Sequence, residues 1–329
     1  MPAPYAFDPE LAPFAARMRP LDYADPAGAR RTMRAVMSAQ PPYAHLDRVR
    51  VTDRTLPVPG GPELTVRTYE PAERSGEPLP ALLFPHWGGF VTGDLDTPRA
   101  FAARIADRVG ALVVSPDYRL APEHPFPAAL DDCWAAFAWI AAHAAELGVD
   151  PDRIGVGGFS AGGALATATA LRAHERGGPD PDPNPGPGPR VRVRVRFLYL
   201  LFPQLDDRLD SPSATEFTDT PVLDRAALRL CWGHYAGTGP APSLAAPART
   251  RTEDLAGLPP TFVGVCEFDP LRDEGVAFAH RLVAAGVRTE LVRYRGTFHA
   301  SVGIGHAAVS RRMVADQIEA LRRGLLPTD

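Results

Sequence analysis

Three stretches of this chain hold residue types that could carry out acyl transfer. The first is Gly158-Phe159-Ser160-Ala161-Gly162, which fits G-x-S-x-G, a sharp strand-to-helix turn that presents a serine hydroxyl. An apolar, strand-like run from Arg153 to Val156 leads into it, and an Ala-rich helical run from Ala164 to His174 follows. The second is His86-Trp87-Gly88-Gly89-Phe90, placed after the apolar run Leu79 to Phe84. Glycines there let backbone N–H groups come close to an oxygen on which negative charge develops. The third supplies acid and base. Asp269 follows the run Thr261 to Val265, and His299 follows Glu290 to Tyr294 in Gly296-Thr297-Phe298-His299.

A serine is a weak nucleophile until a histidine takes its proton, and that histidine needs a carboxylate to fix its tautomer. The chain order Ser160, Asp269, His299 is that of a nucleophile-elbow enzyme. His280 falls in a helical stretch and His306 lies beyond the loop, so His299 is the expected base. Asp273 and Glu274 should fall inside the helix that Pro270 begins, where acidic residues complement the helix dipole. Asp269 is therefore preferred as the acid. The N–H groups of Gly88, Gly89 and Ala161 are the expected oxyanion donors. His86 is expected to hold the loop by a local hydrogen bond. Gly158 and Gly162 flank the serine because only small residues fit beside it. Trp87, Phe90, Phe159 and Phe298, with Phe217 and Trp232 from further along the chain, are expected to line an apolar pocket.

These residues need a frame. Short continuous apolar runs (Leu79 to Phe84, Ala111 to Ser115, Phe197 to Phe202, Thr261 to Val265) alternate with helical stretches (Phe101 to Val109, Asp131 to Leu147, Ser310 to Leu325). That rhythm predicts an α/β fold with a mostly parallel central sheet covered on both faces. Residues 48–58 and 63–69 alternate apolar and polar about Gly60-Gly61-Pro62, which predicts an antiparallel pair. Helical spacing of Leu11, Phe14, Met18, Met33, Val36 and Met37 predicts one or two amphipathic helices ahead of the sheet. The expected organisation is N-terminal cap helices over 1–45 and a catalytic domain over 46–329. A partly helical insertion at about 203–250 contributes to the cap. The Pro/Gly tract at 177–190 suits neither helix nor central strand and reads as a long, solvated surface loop.

Composition narrows the function. The 329 residues carry a net charge of −4, and every one of the 35 basic residues is arginine. No long basic run exists, which argues against a nucleic-acid partner. Three scattered cysteines, Cys133, Cys231 and Cys266, form no disulfide framework, and the nine histidines show no metal-ligand spacing. Met1 to Pro20 lacks the basic-then-apolar pattern of a secretory signal, and no run approaches the ~20 apolar residues of a membrane span. A cytoplasmic enzyme without stable membrane insertion is the expectation.

Four stretches together resemble the hormone-sensitive lipase family of α/β-hydrolases: His86 to Phe90, Asp117-Tyr118-Arg119-Leu120-Ala121-Pro122-Glu123-His124-Pro125-Phe126-Pro127-Ala128, Gly158 to Gly163, and Phe268 to Gly275. The resemblance runs from about residue 45 to the end. It implies the α/β-hydrolase fold with a helical cap and hydrolysis of a small-molecule carboxylic ester. It places the nucleophile, acid and base at Ser160, Asp269 and His299, with no cofactor, and implies a homodimer. Two departures add aromatic bulk: Trp87 stands where the family usually has glycine, and Phe159 where it usually has a small or polar residue. Two other readings share the sequence. A biosynthetic tailoring enzyme (acyl transfer, lactonisation or elimination) would use the same site. A non-catalytic ligand-binding receptor is disfavoured by the presence of all three residues.

Overall fold

Eight strands hydrogen-bond into one sheet in the order β1-β2-β4-β3-β5-β6-β7-β8. The computed structural model describes residues 5–58, 61–74, 76–177 and 194–326. Most of the predicted Gly60-Gly61-Pro62 turn is described, but Gly60, and residues 178–190 of the Pro/Gly tract, lie outside these residues. β1 (Val49–Leu56) and β2 (Leu64–Pro71) form the predicted antiparallel pair, and β2 lies antiparallel to β4 (Leu112–Pro116). The other strands run parallel: β3 (Leu79–Leu83), β5 (Val149–Phe159), β6 (Leu198–Leu201), β7 (Thr261–Phe268) and β8 (Thr289–Phe298).

Helices cover both faces, as parallel strands require. Ahead of the sheet come the short α1 (Ala12–Ala15) and α2 (Pro26–Ser38), whose N-terminus Asp25 caps by accepting from Gly28 N–H. α3 (Arg99–Ile105) precedes β4, and α4 (Ala128–Ala142) with α5 (Ala144–Leu147) precedes β5. α6 (Ala161–Arg176) follows the serine, and α7 (Pro212–Glu216) and α8 (Arg225–Ala236) follow β6. α9 (Arg272–Ala284) and α10 (Ala308–Leu325) close the chain. Successive residues of one strand feed opposite layers. Ala81 and Leu83 join a core with Phe137, Leu165 and Phe278, whereas Leu82 and Phe84 join one with Ile105, Met313 and Leu321.

β5 is longer than the apolar run from Arg153 to Val156 suggests, since it starts at Val149 and extends past Val156 through Gly157 and Gly158 to Phe159. Pairing to β3 and β6 holds it. Its glycines make room for neighbours: a Cβ on Gly157 would sit 2.9 Å from the Tyr199 Cβ, and one on Gly155 2.8 Å from Leu325. α9 begins at Arg272, two residues after Pro270. Its early acids do more than face a dipole. Asp273 accepts from Ser213 N–H at 2.8 Å, and Glu274 accepts from Leu205 N–H at 2.6 Å. Both therefore tie the chain after β6 to the helix after β7. Glu274 is 3 % exposed, and its burial pushes its pKa well above the ordinary carboxylate value.

Candidate active site

Ser160 stands between the end of β5 and the start of α6, with φ 51° and ψ −124°. That region is costly for a residue with a side chain. The turn holds because Ser160 N–H donates to Leu201 O at 3.1 Å, and Ser160 O accepts from Gly163, Ala164 and Gln204. A side chain on Gly162 would run into the carbonyl of Pro85, and one on Gly158 would meet Gly163 N at 2.8 Å. Those two glycines are the condition for the strained turn.

His299 follows β8 and Asp269 follows β7, so adjacent parallel strands deliver the base and the acid. His299 Nε2 lies 3.1 Å from Ser160 Oγ, across 139 residues of chain. His299 Nδ1 lies 2.8 Å from Asp269 Oδ2. A carboxylate only accepts, so Nδ1 carries the proton and Nε2 accepts from the serine hydroxyl. Asp269 is fully buried, and its other oxygen accepts from Leu271 N–H at 2.9 Å. The three side chains form a Ser-His-Asp triad. The Phe202 ring packs edge-on against His299 at 4.8 Å and restricts the imidazole.

Beside the serine runs the loop from His86 to Val91. Gly88 and Gly89 have φ 128° and 64°, and Phe90 has φ 67°. A Cβ on Gly89 would strike Cys231 Sγ of α8. Among the described residues nothing accepts from the N–H groups of Gly88, Gly89 or Ala161. For Ala161, first residue of α6, that is the ordinary state of a helix N-terminus. His86 acts locally, as expected: its Nδ1 lies 2.9 Å from Trp87 O and its ring stacks on Tyr118 at 4.0 Å. Burial lowers its pKa to about 4, so the ring is neutral near pH 7.

The distinctive stretch Asp117 to Ala128 braces this loop. Tyr118 Oη donates to His86 O at 2.9 Å, and Ala121 N–H donates to Phe90 O at 3.0 Å. Arg119 makes a forked pair with Asp132 of α4 that fixes the brace. Arg30 of α2 reaches the same place. Its Nε donates to Val91 O at 2.8 Å and its Nη2 to Ala121 O at 2.9 Å, and it pairs with Glu123. The guanidinium holds the Glu123 carboxyl down at about 2. Nothing in the local sequence marks Arg30, because its partners lie 61 to 93 residues away.

A cavity of about 1390 Å³ opens on Ser160 and His299. Its wall includes Trp87 and Phe159 from the expected pocket set, together with Gly88 and Gly89. The Trp87 and Phe159 rings stack at 5.3 Å, and Phe101 of α3, which sequence reasoning missed, closes on both edge-on. The other expected pocket residues do not line it. Phe90 turns away and stacks on Tyr235 at 3.9 Å, and Trp232 packs on Phe90 at 5.3 Å. Phe217 sits under the Arg272 guanidinium at 4.9 Å and is absent from the cavity wall. Phe298, fully buried, packs on Phe7 and Leu11 because the residue before His299 points to the opposite side of β8. Wall residues not expected there are Phe202, Gln204, Leu223 and Tyr23, whereas Met18 and Met33 come from the apolar spacing that predicted the N-terminal helices. No group of three or more His, Cys, Asp or Glu among the described residues could hold a metal ion.

A mostly parallel sheet that brings a strained serine, an aspartate and a histidine together at the ends of β5, β7 and β8 defines an α/β-hydrolase. The family model described as "alpha/beta hydrolase fold" matches residues 82–302. The chain belongs to this family, in its hormone-sensitive lipase-like branch. It is similar to Esterase LipI of Mycobacterium tuberculosis (39% identical over 283 residues, 84% of this chain and 81% of that one). It is 34% identical over 243 residues to an arylesterase of Saccharolobus solfataricus, covering 73% of this chain and 74% of that one. Among solved structures, "Bacterial Heroin Esterase" superposes with a TM-score of 0.88 at 41% identity, covering 98% of this chain and 99% of that one. No described helix is long and apolar enough to cross a membrane.

Proposed function

We propose that this protein hydrolyses small to medium apolar carboxylic esters through an acyl-enzyme. The observation that carries the reading is the Ser160–His299–Asp269 hydrogen-bond chain opening on one cavity. Ser160 Oγ attacks the ester carbonyl while His299 Nε2 takes its proton and then passes it to the leaving alkoxide. Asp269 holds the imidazole in the required tautomer and stabilises its charged form. The unengaged N–H groups of Gly88, Gly89 and Ala161 are the oxyanion donors. Water, deprotonated by His299, attacks the acyl carbonyl, and release of the acid returns the proton to Ser160.

In this reading the N-terminal segment up to residue 45 and parts of 203–250 act as a cap on the catalytic domain. Met18, Tyr23 and Met33 from the first, with Val222 and Leu223 from the second, stand on the cavity wall. Trp87 and Phe159 narrow the pocket. Three unpaired cysteines suit a reducing cytoplasmic location.

The test is turnover of p-nitrophenyl acetate, butyrate, octanoate and palmitate by the wild type and by Ser160→Ala. Hydrolysis of the shorter esters that drops by about 10⁶ in the variant is expected. No turnover of any of the four would overturn the reading.

A further inference from the structure

Gln204 is 1 % exposed and stands on the cavity wall beside Ser160. Neither its Nε2 nor its Oε1 has a hydrogen-bond partner among the described residues. No other described residue combines a place on that wall with buried, unpartnered side-chain polar atoms. Gln317 of α10 is equally buried and unpartnered but is absent from the wall, so burial alone does not single out Gln204. An unpaired buried amide is costly. A site that keeps one next to its nucleophile is suited to a substrate that pairs it.

The backbone around Gln204 is fixed on both sides. Phe202 N–H donates to Gly264 O at 2.6 Å, and Gln204 N–H donates to Ser160 O at 3.1 Å. Leu205 and Asp206 N–H both donate to Glu274 Oε1, at 2.6 and 3.2 Å. Pro203 packs against Gly163 and Gly275, where added Cβ atoms would lie 3.0 and 3.8 Å away. The backbone that carries the amide is thus held in place before any ligand arrives, so pairing asks only for a side-chain adjustment.

A carboxamide offers one acceptor oxygen and two donor hydrogens, and a hydroxyl answers with one donor and two acceptor lone pairs. We propose that Gln204 is a specificity-determining residue that reads a hydroxyl group on the ester, a few bonds from the scissile carbonyl. The proposal rests on the esterase reading above. It narrows the substrate class from apolar esters in general to hydroxyl-bearing esters with an apolar remainder. An ester lacking the hydroxyl leaves the amide unpaired in the complex and is discriminated against for that reason.

The experiment compares two matched pairs: ethyl 3-hydroxybutyrate with ethyl butyrate, and glyceryl monobutyrate with propyl butyrate. kcat/KM and Tm are measured for the wild type, Gln204→Leu and Gln204→Met. In at least one pair the wild type should favour the hydroxyl-bearing member by about ten- to a hundredfold. Both variants should erase that preference by slowing the hydroxyl-bearing member more than the plain ester, with an unchanged or raised Tm. The pair that responds identifies the acyl or the alcohol side. The proposal is overturned by a wild type without preference in either pair, or by a preference that survives both substitutions. It is also overturned if both variants melt lower and lose both members of each pair alike, since the amide is then structural. Hydrolysis of p-nitrophenyl butyrate by the same preparation separates these failures from failure of the esterase reading itself.

Discussion

Trp87 and Phe90 are three residues apart on one loop, yet their rings end in different places. The Trp87 ring stacks on Phe159 and borders the cavity with it. The Phe90 ring, 0 % exposed, lies under Tyr235 and Trp232 of α8. Between them stand Gly88 and Gly89, whose positive φ values turn the backbone. One loop thus carries two aromatic clusters with different work. The cluster on Trp87 borders the cavity that opens on Ser160. The cluster on Phe90 anchors the loop to α8, and in the proposed mechanism this keeps the N–H groups of Gly88 and Gly89 aimed at the oxyanion. Aromatic residues near a nucleophile are therefore not one class, and the backbone torsion decides which cluster each joins.

The sharpest way to break this comparison is to truncate each ring. Phe90→Ala should lower unfolding free energy by about 3–5 kcal/mol, the usual cost of emptying a buried aromatic site. Trp87→Ala should cost less than half as much and should shift the preferred acyl length upward. Urea titrations beside a p-nitrophenyl ester series would show it, and equal destabilisation by both variants would dissolve the distinction.

Gly89→Ala probes the hinge between the clusters. A methyl there meets Cys231 and the backbone φ of 64° resists it. A fall in kcat of about 10²–10³ is expected, the size of losing one oxyanion donor. A kcat within threefold of wild type would remove Gly89 from the proposed hole.

The start of the loop responds to pH. His86 has its folded pKa lowered from 6.5 to about 4. Between those values the unfolded chain binds a proton that the folded protein refuses, so stability falls as pH drops through this window. The full loss is about 3 kcal/mol by pH 4. Urea midpoints from pH 7 to pH 4 should fall more steeply in the wild type than in His86→Asn. Parallel slopes would falsify the assignment.

The smallest effect is expected at the outer clasp. Arg30→Met removes donors to Val91 O and Ala121 O and breaks the pair with Glu123. The Glu123 side chain is 54% exposed, so the ion pair itself contributes little. The carbonyl bonds set a loss of about 1–2 kcal/mol, with a several-fold rise in KM as α2 loosens over the cavity. An unchanged KM would mean that α2 does not govern entry.

Sequence alone carried the triad to individual residues, because each member sits in a short motif after a strand-like run. Gly158 and Gly162 were legible for the same reason: a strained serine needs small neighbours within two positions. The alternation of strands and helices fixed the sheet, since parallel strands buried on both faces must read as continuous apolar runs. What sequence could not assign was direction and distance. Phe90 and Phe298 stand beside the right motifs, and Phe217 and Trp232 in the expected cap insertion, but torsion, strand parity and packing on distant elements turned their rings away from the cavity. Phe101, Phe202, Gln204 and Arg30 reach the site across the fold, and no local pattern marks them. A motif is a local constraint on the backbone and can be read from a few neighbours. A pocket wall is a sum of side-chain directions from many elements, and only the folded chain sets those.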